Sequence, residues 1–280
     1  MKVAVVTAPY DSGHRDAGFG RGPGAFLAAG LADELARHGH DVAVEDIGAV
    51  GDGQGREIAT GFAVCAAVAA KVFAGIDAGR FPVVLAGNCL TAAGAVAGER
   101  ADSIVWFDQH GDLNTPETSA YGFLDGMALA VVLGLCWRPM ARAIPGFRPV
   151  EPQNCLLADA RDLDPDELEL LQRLPVMRAS CAEAPEKAGR LGAAGIARTH
   201  LHVDLDVHDP SALRVNRYAR PGGPDPDRLR QAVCGVAASV PVAGLTLTAY
   251  DPAFDPGAKV PPVACRLLVD VLAALEKSRC

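Results

Sequence analysis

Short runs of aliphatic and β-branched residues alternate along this chain with longer stretches whose apolar positions recur at helical spacing. That alternation is the pattern of a parallel sheet covered by helices on both faces. Lys2–Thr7, Asp41–Glu45, Pro82–Leu85, Ser103–Phe107, Asn154–Ala158, Val176–Ser180, Thr199–Val203 and Val242–Ala249 read as strands. Helices are expected at Gly24–His38, which starts after Pro23 and stops at Gly39, and at Glu57–Ala78, Pro165–Leu174, Ala182–Leu191, Pro226–Ser239 and Pro261–Lys277. The fold class is therefore α/β, a three-layer parallel sheet between two helical layers. No repeat and no long linker divides it, so residues 1–280 are read as one domain. In such sheets ligands bind beyond the carboxyl ends of the strands, and the polar clusters of this chain fall at those ends.

Composition narrows the function without naming it. With 50% hydrophobic and 21% charged residues the chain has the balance of a globular protein rather than a disordered one. A net charge of -8 disfavours a nucleic-acid backbone or an anionic membrane surface, which leaves a small molecule as the expected partner. Apolar runs such as Met127–Cys136 are too short to span a bilayer, and the first residues lack the pattern of a cleaved signal, so a cytoplasmic protein is expected. The eight cysteines, Cys65, Cys89, Cys136, Cys155, Cys181, Cys234, Cys265 and Cys280, show no paired spacing and read mostly as small buried hydrophobes. Cys89 stands apart because it follows a strand end, in Ala86-Gly87-Asn88-Cys89.

The strongest chemical signal is a pair of acidic motifs, each leaving an apolar strand. Ile104-Val105-Trp106-Phe107 runs into Asp108-Gln109-His110-Gly111-Asp112, and His200-Leu201-His202-Val203 runs into Asp204-Leu205-Asp206. Alternation along an extended segment is expected to project Asp108, His110 and Asp112, and likewise Asp204 and Asp206, to one side. Carboxylates crowded at one pole repel each other unless a cation joins them. Oxygen ligands with an imidazole suit a hard divalent ion such as Mn²⁺, and this many carboxylates allow a bridged pair.

On these residues the chain resembles the arginase, or ureohydrolase, superfamily. Asp108-Gln109-His110-Gly111-Asp112-Leu113-Asn114-Thr115-Pro116 is similar to its first signature and His202-Val203-Asp204-Leu205-Asp206-Val207-His208-Asp209-Pro210 to its second; Gly22-Pro23 and Arg161-Asp162-Leu163-Asp164-Pro165 also match. The resemblance implies an arginase-type sheet and two Mn²⁺ per chain, bridged by Asp108 and Asp204. Asp112 would complete one ion, His110 and Asp206 the other, with a shared hydroxide attacking an amidine carbon. It also implies a guanidino or amidino substrate and a homo-oligomer. Asn114 would meet a substrate carboxylate, Asp164 and Glu167 an amino group, and Tyr121 would narrow the pocket. Asp164 and Glu167 have a second reading, as the N-cap and third residue of a helix that starts at Pro165.

Three positions depart from the family pattern. Cys89 stands where a metal-binding His is usual, as in the branch that hydrolyses N-hydroxy-arginine; it is read either as a softer ligand or as a buried thiol. Asp125 replaces a proton-carrying His and is read as its substitute, if burial raises its pKa, or as an Asp-Gly turn. Ala249 replaces a Glu that binds the guanidinium, and Asp251, two positions on, is the candidate substitute or else a loop residue before Pro252. The resulting expectation is an amidinohydrolase acting on N-hydroxy-arginine or a related guanidino amino acid. Two alternatives stand beside it. One is a single-metal deacylase built on Asp108, His110 and Asp206, which resemble the zinc ligands of related deacetylases; the other is a homologue with impaired catalysis.

Overall fold

The fold was obtained as a computed structural model that describes residues 1–51 and 54–278; Cys280 lies outside the described residues. The strands are β1 (Lys2–Ala8), β2 (Tyr10–Asp11), β3 (His14–Arg15), β4 (Asp41–Asp46), β5 (Phe81–Ala86), β6 (Ser103–Phe107), β7 (Cys155–Ala158), β8 (Met177–Ala179), β9 (Thr199–Asp204) and β10 (Val242–Thr248). The α-helices are α1 (Gly22–Ala28), α2 (Leu31–Arg37), α3 (Glu57–Asp77), α4 (Thr91–Glu99), α5 (Ala128–Val132), α6 (Arg138–Arg142), α7 (Pro165–Arg173), α8 (Ala184–Ala193), α9 (Pro226–Ser239) and α10 (Val260–Ser278).

Eight strands form one sheet in the order β4-β1-β5-β10-β9-β6-β7-β8, while β2 and β3 make a separate hairpin. All pairings in the large sheet are parallel. The central strands β5, β6 and β9 are buried at every position, as helices on both faces require, and the edge strand β4 is largely exposed. Alternation divides the core. Val3, Val5, Leu85, Phe107 and Val203 face a layer that holds α1, α2, α8, α9 and α10. Val6, Val84, Ile104 and Trp106 face the layer of α3, α4 and α5.

The short helices α5 and α6 and the β2–β3 hairpin answer to no expected element, and three longer elements also differ from the sequence expectation. The first helix is broken in two at Gly30, whose φ of +88° lies in the left-handed region that only glycine adopts freely. Helix α4 was not anticipated because all nine of its residues are buried, so no amphipathic stripe marks it. Its glycines let it lie directly on α3: a Cβ on Gly94 would fall 2.3 Å from the Cys65 carbonyl oxygen, and one on Gly98 2.7 Å from that of Ala69. Helix α3 itself is long and apolar enough to cross a membrane by length and composition, contrary to the reading that all apolar runs are too short. In the fold its Phe62, Cys65 and Ala69 pack with α4, and Val64, Val68 and Val72 pack with Val6 and Val84 of the sheet. Of the cysteines, Cys65, Cys89, Cys136, Cys155 and Cys181 are buried, while Cys234 and Cys265 are partly exposed.

Candidate metal centre

The acidic residues meet where β6, β9, β5 and β10 end, but alternation is not what aims them. Asp108 Oδ1 accepts the amide of His110 at 2.7 Å, and Asp204 Oδ1 accepts the amide of Asp206 at 2.6 Å. The same Asx turn therefore follows each strand and swings the side chain two residues on back toward the first. Residues 205–207 form a short 3-10 turn, and Asp112 sits at φ +51°, so neither segment is extended. Strand β10 likewise stops before Ala249, at φ +64°.

The result is a compact set of ligand atoms. His110 Nδ1 lies 3.3 Å from Asp108 Oδ1 and 3.6 Å from Asp206 Oδ2. Oxygens of Asp108 and Asp206 and a ring nitrogen of His110 all fall within 4.8 Å of one another. Trp106 Nε1 donates to the other oxygen of Asp108 at 3.0 Å. Cys89 is placed by Gly87, where a Cβ would come 2.0 Å from the Tyr10 carbonyl oxygen. Its thiol donates to Asp204 Oδ2 at 3.0 Å and lies 3.1 Å from Thr248 Oγ1.

Electrostatics follow from the crowding. Burial, then Asp108, Asp125 and Asp204, push Asp112 well above the usual carboxylate range; burial, then Asp206 and Asp108, do the same to Asp204. Asp206 rises to about 6, chiefly through burial, with His110 opposing. Burial would lower His110, yet Asp206 and Asp108 outweigh it and hold the imidazole at about 10. Four buried aspartates thus crowd around His110, and a divalent cation would neutralise them far better. Asp206 Oδ1 is buried with no hydrogen-bond partner among the described residues. An orphaned carboxylate oxygen inside a ready-made cluster of O and N donors fits a divalent ion, and so the residues present fit the metal the resemblance implies.

Above the cluster opens a cavity of about 300 Å³ whose lining includes Cys89, His110, Asp112, Asn114, Tyr121, Asp125, Asp164, Glu167, Asp204, Asp206 and Ala249. Asp125 is fixed at its side by Asn88 Nδ2 at 2.8 Å and the Leu90 amide at 2.9 Å, and burial raises it to about 7. Tyr121 is 95% exposed and stands at the rim, so it shapes the mouth rather than narrowing the interior. Both oxygens of the buried Glu167 accept backbone amides, from Leu113 at 2.9 Å and Asp164 at 2.9 Å, which fills the capping role and leaves little for a ligand. Asp164 instead accepts Asn114 Nδ2 at 2.8 Å on the open side. Asp251 is not among the lining residues: it pairs with Arg21 at 2.8 Å and caps the turn at Ala253, so it does not stand in for the side chain missing at Ala249.

Asn216 was missed. It comes from the loop after β9, donates to Asp206 Oδ2 at 3.2 Å and the Ala249 carbonyl at 2.9 Å, and accepts the amides of Tyr218 and Ala219. Nothing in its local sequence marks it, since the loop must first fold back over the strand ends. Gln109, between Asp108 and His110, is buried and ties this loop down through the Tyr218 carbonyl and the Arg220 amide.

A parallel sheet with a buried carboxylate and imidazole cluster at its carboxyl edge, opening to a small cavity, is an α/β protein with a site suited to a divalent metal. A model of the Arginase family matches residues 1–274. The arginase of Bacillus caldovelox is 31% identical over 238 residues, spanning 75% of this chain and 77% of that protein. The N(omega)-hydroxy-L-arginine amidinohydrolase of Streptomyces lavendulae is 37% identical over 136 residues, 48% of this chain and 47% of that one. The crystal structure of arginase from Bacillus cereus superposes with a TM-score of 0.86 at 27% identity, covering 97% of this chain and 98% of that one. The chain belongs to the arginase family, a family of binuclear manganese hydrolases, and is an amidinohydrolase.

Proposed function

We propose that this amidinohydrolase cleaves a C–N bond of a guanidino amino acid whose head group is less basic than arginine's, N-hydroxy-arginine being the model substrate. The observation that carries this reading is the wall at Ala249. A carboxylate there would pair with a guanidinium, and losing it leaves a buried cation unpaired. Ala249 lines the cavity, and the nearby Asp251 is turned to Arg21. An N-hydroxyguanidine is a weaker base than a guanidine, is partly neutral near physiological pH, and so depends less on such a partner. The match to a protein named for N-hydroxy-arginine supports the same choice.

In this reading Asp108, Asp204, Asp112, Cys89, His110 and Asp206 hold two divalent ions, Mn²⁺ by family. When bound, the ions supply Lewis acidity and an activated water. The remaining steps belong to the chain. Half-buried Asn114 and exposed Asp164, which line the cavity and are bonded to each other, receive the carboxylate and amino groups of the substrate. Tyr121 closes over that end from the rim. Asp125, poised near neutrality, gives the departing amine its proton as the C–N bond breaks, and Asn88 and the Leu90 amide hold its carboxyl in place. A urea derivative and an amine leave.

The test is a product-release assay on Mn²⁺-loaded protein with N-hydroxy-arginine, arginine, agmatine and guanidino acids. Turnover of N-hydroxy-arginine well above arginine is expected. Equal or better turnover of arginine or agmatine would overturn the substrate assignment.

A further inference from the structure

His202 is fully buried in the middle of β9, beside Trp106 of β6 and Thr246 of β10. Its ring stacks on the Trp106 indole with centroids 3.6 Å apart. Yet Nδ1 has no hydrogen-bond partner among the described residues, and Nε2 only reaches Thr248 Oγ1 at 3.5 Å, the outer limit of a bond. A neutral imidazole buried with so little to bond is a poor choice for a strand interior unless something else engages it. What lies within reach is chemically specific. A ring nitrogen of His202, the sulfur of Cys89 and an oxygen of Asp108 all fall within 4.8 Å of one another. Ligand atoms around a tetrahedral zinc stand about 3.5 Å apart, given bonds of about 2.0–2.3 Å, so small side-chain rotations close this set.

We propose that Cys89, Asp108 and His202 form a binding site for a zinc-class divalent ion, with His202 as a direct ligand. The assignment rests on the metal-dependent reading given above and makes its two positions chemically different. The outer position, with Asp108, His110 and Asp206, offers oxygen and nitrogen and suits Mn²⁺. The inner position adds a thiolate to an imidazole and a carboxylate, and that softer set selects Zn²⁺ or Co²⁺ over Mn²⁺. The surrounding contacts hold the three ligands together. Trp106 stacks on His202 while donating to Asp108 at 3.0 Å, so one indole orients two of them. Thr248 Oγ1 sits 3.1 Å from the Cys89 sulfur. Binding displaces the proton of the Cys89 thiol, which now lies against Asp204.

Cobalt substitution and zinc-edge X-ray absorption test the assignment on the full-length protein. Metal-stripped protein loaded first with Mn²⁺ and then with one equivalent of Co²⁺ should develop a sulfur-to-cobalt charge-transfer band in the near ultraviolet. Cys89→Ser should abolish that band. His202→Gln should weaken Co²⁺ and Zn²⁺ binding at this position by more than about 100-fold, beyond the loss expected from an outer-shell partner, while Mn²⁺ binding at the outer position persists as the control for folding. Zinc-edge absorption on the unaltered protein needs no variant, and should show one sulfur and an imidazole around the same ion. A sulfur shell without imidazole, or a His202→Gln protein that binds Co²⁺ as before, would overturn the role of His202. Absence of any thiolate band would overturn the site. These failures are separate from that of the substrate reading: a thiolate band in a protein inert toward guanidines leaves the site standing, and guanidine hydrolysis without the band leaves the activity standing.

Discussion

Strand β9 carries two buried polar clusters on one face, and they are resolved in opposite ways. Near its start, His200 Nδ1 lies 3.0 Å from both oxygens of Glu99, and its other nitrogen meets Thr246 Oγ1. Arg198 Nη1 donates to the Glu99 carbonyl at 3.1 Å, and Ser103 bonds Thr199 at 2.8 Å. One acid meets one base and the partners are all protein. Four residues on, at Asp204, the acids outnumber the bases, and Asp206 Oδ1 and His202 Nδ1 have no partners among the described residues. A sheet interior accepts buried charge when it is paired. The first cluster is closed by the chain itself, whereas the second is left for a ligand to close.

The largest effect should come from breaking the open cluster. Asp204→Asn removes a carboxylate from its centre, and activity should fall by about 10³-fold or more, the several kcal/mol that metal-assisted charge stabilisation supplies. The metal-free variant should be no less stable than the metal-free parent, because one of the repelling acids is gone. A clear drop in its unfolding free energy would show that Asp204 is a structural partner like Glu99.

The closed cluster should answer in reverse. Glu99→Ala leaves His200 buried beside an empty acceptor site, and unfolding free energy should fall by about 3–5 kcal/mol. Specific activity of the folded fraction should stay near that of the parent, since Glu99, at the end of α4, is not among the residues that line the cavity. Denaturant titration and activity measured on one sample check both halves of this expectation.

Metal removal sharpens the contrast further. Chelation should lower the melting temperature reversibly. Restoring Mn²⁺ to about 100 times its Kd should return about 2.7 kcal/mol for one linked ion. The Glu99→Ala protein should show the same increment, and Asp204→Asn much less. If chelation leaves the parent's melting curve unmoved, the open cluster does not depend on a cation.

The two clusters also differ in how much of them can be read from the chain. The strand Ser103–Phe107 and its exit into Asp108-Gln109-His110 are legible because a dense apolar run abruptly gives way to ligand-type residues. So is Thr199–Asp204. The fold brings Asp108, His110 and Asp206 together at these strand ends, while the Asx turns at Asp108 and Asp204, rather than strand alternation, set their aim. Glu99 was invisible, because it ends α4, a helix buried on all sides that leaves no periodic trace. Asn216 was invisible for a different reason: only the return of residues 208–225 across the strand ends brings it to Asp206. Ala249 was legible as a departure, but Asp251 was not a remedy, because the left-handed turn at Ala249 ends the alternation that was to aim it.

Glu167 gives the smallest effect and the finest test, because it stands on the border between the two kinds of cluster. It lines the cavity and adds to the charge that raises Asp112, as a ligand-side acid would. Its two oxygens, however, are taken by the amides of Leu113 and Asp164, as in a closed cluster, and the neighbouring Gly111 leaves no room for movement, since a Cβ there would fall 2.6 Å from Glu167 Oε1. Glu167→Gln keeps the shape but has one acceptor oxygen for two donors. One buried amide loses its partner, at a cost of about 1–3 kcal/mol. Removing a charge beside Asp112 should at most weaken metal binding slightly. If the side chain acts as scaffold, KM for the amino-acid substrate should hold while unfolding free energy drops. A rise in KM of tenfold or more with stability intact would instead place Glu167 against the substrate, and the line between closed and open polar clusters would have to be redrawn one residue closer to the helix.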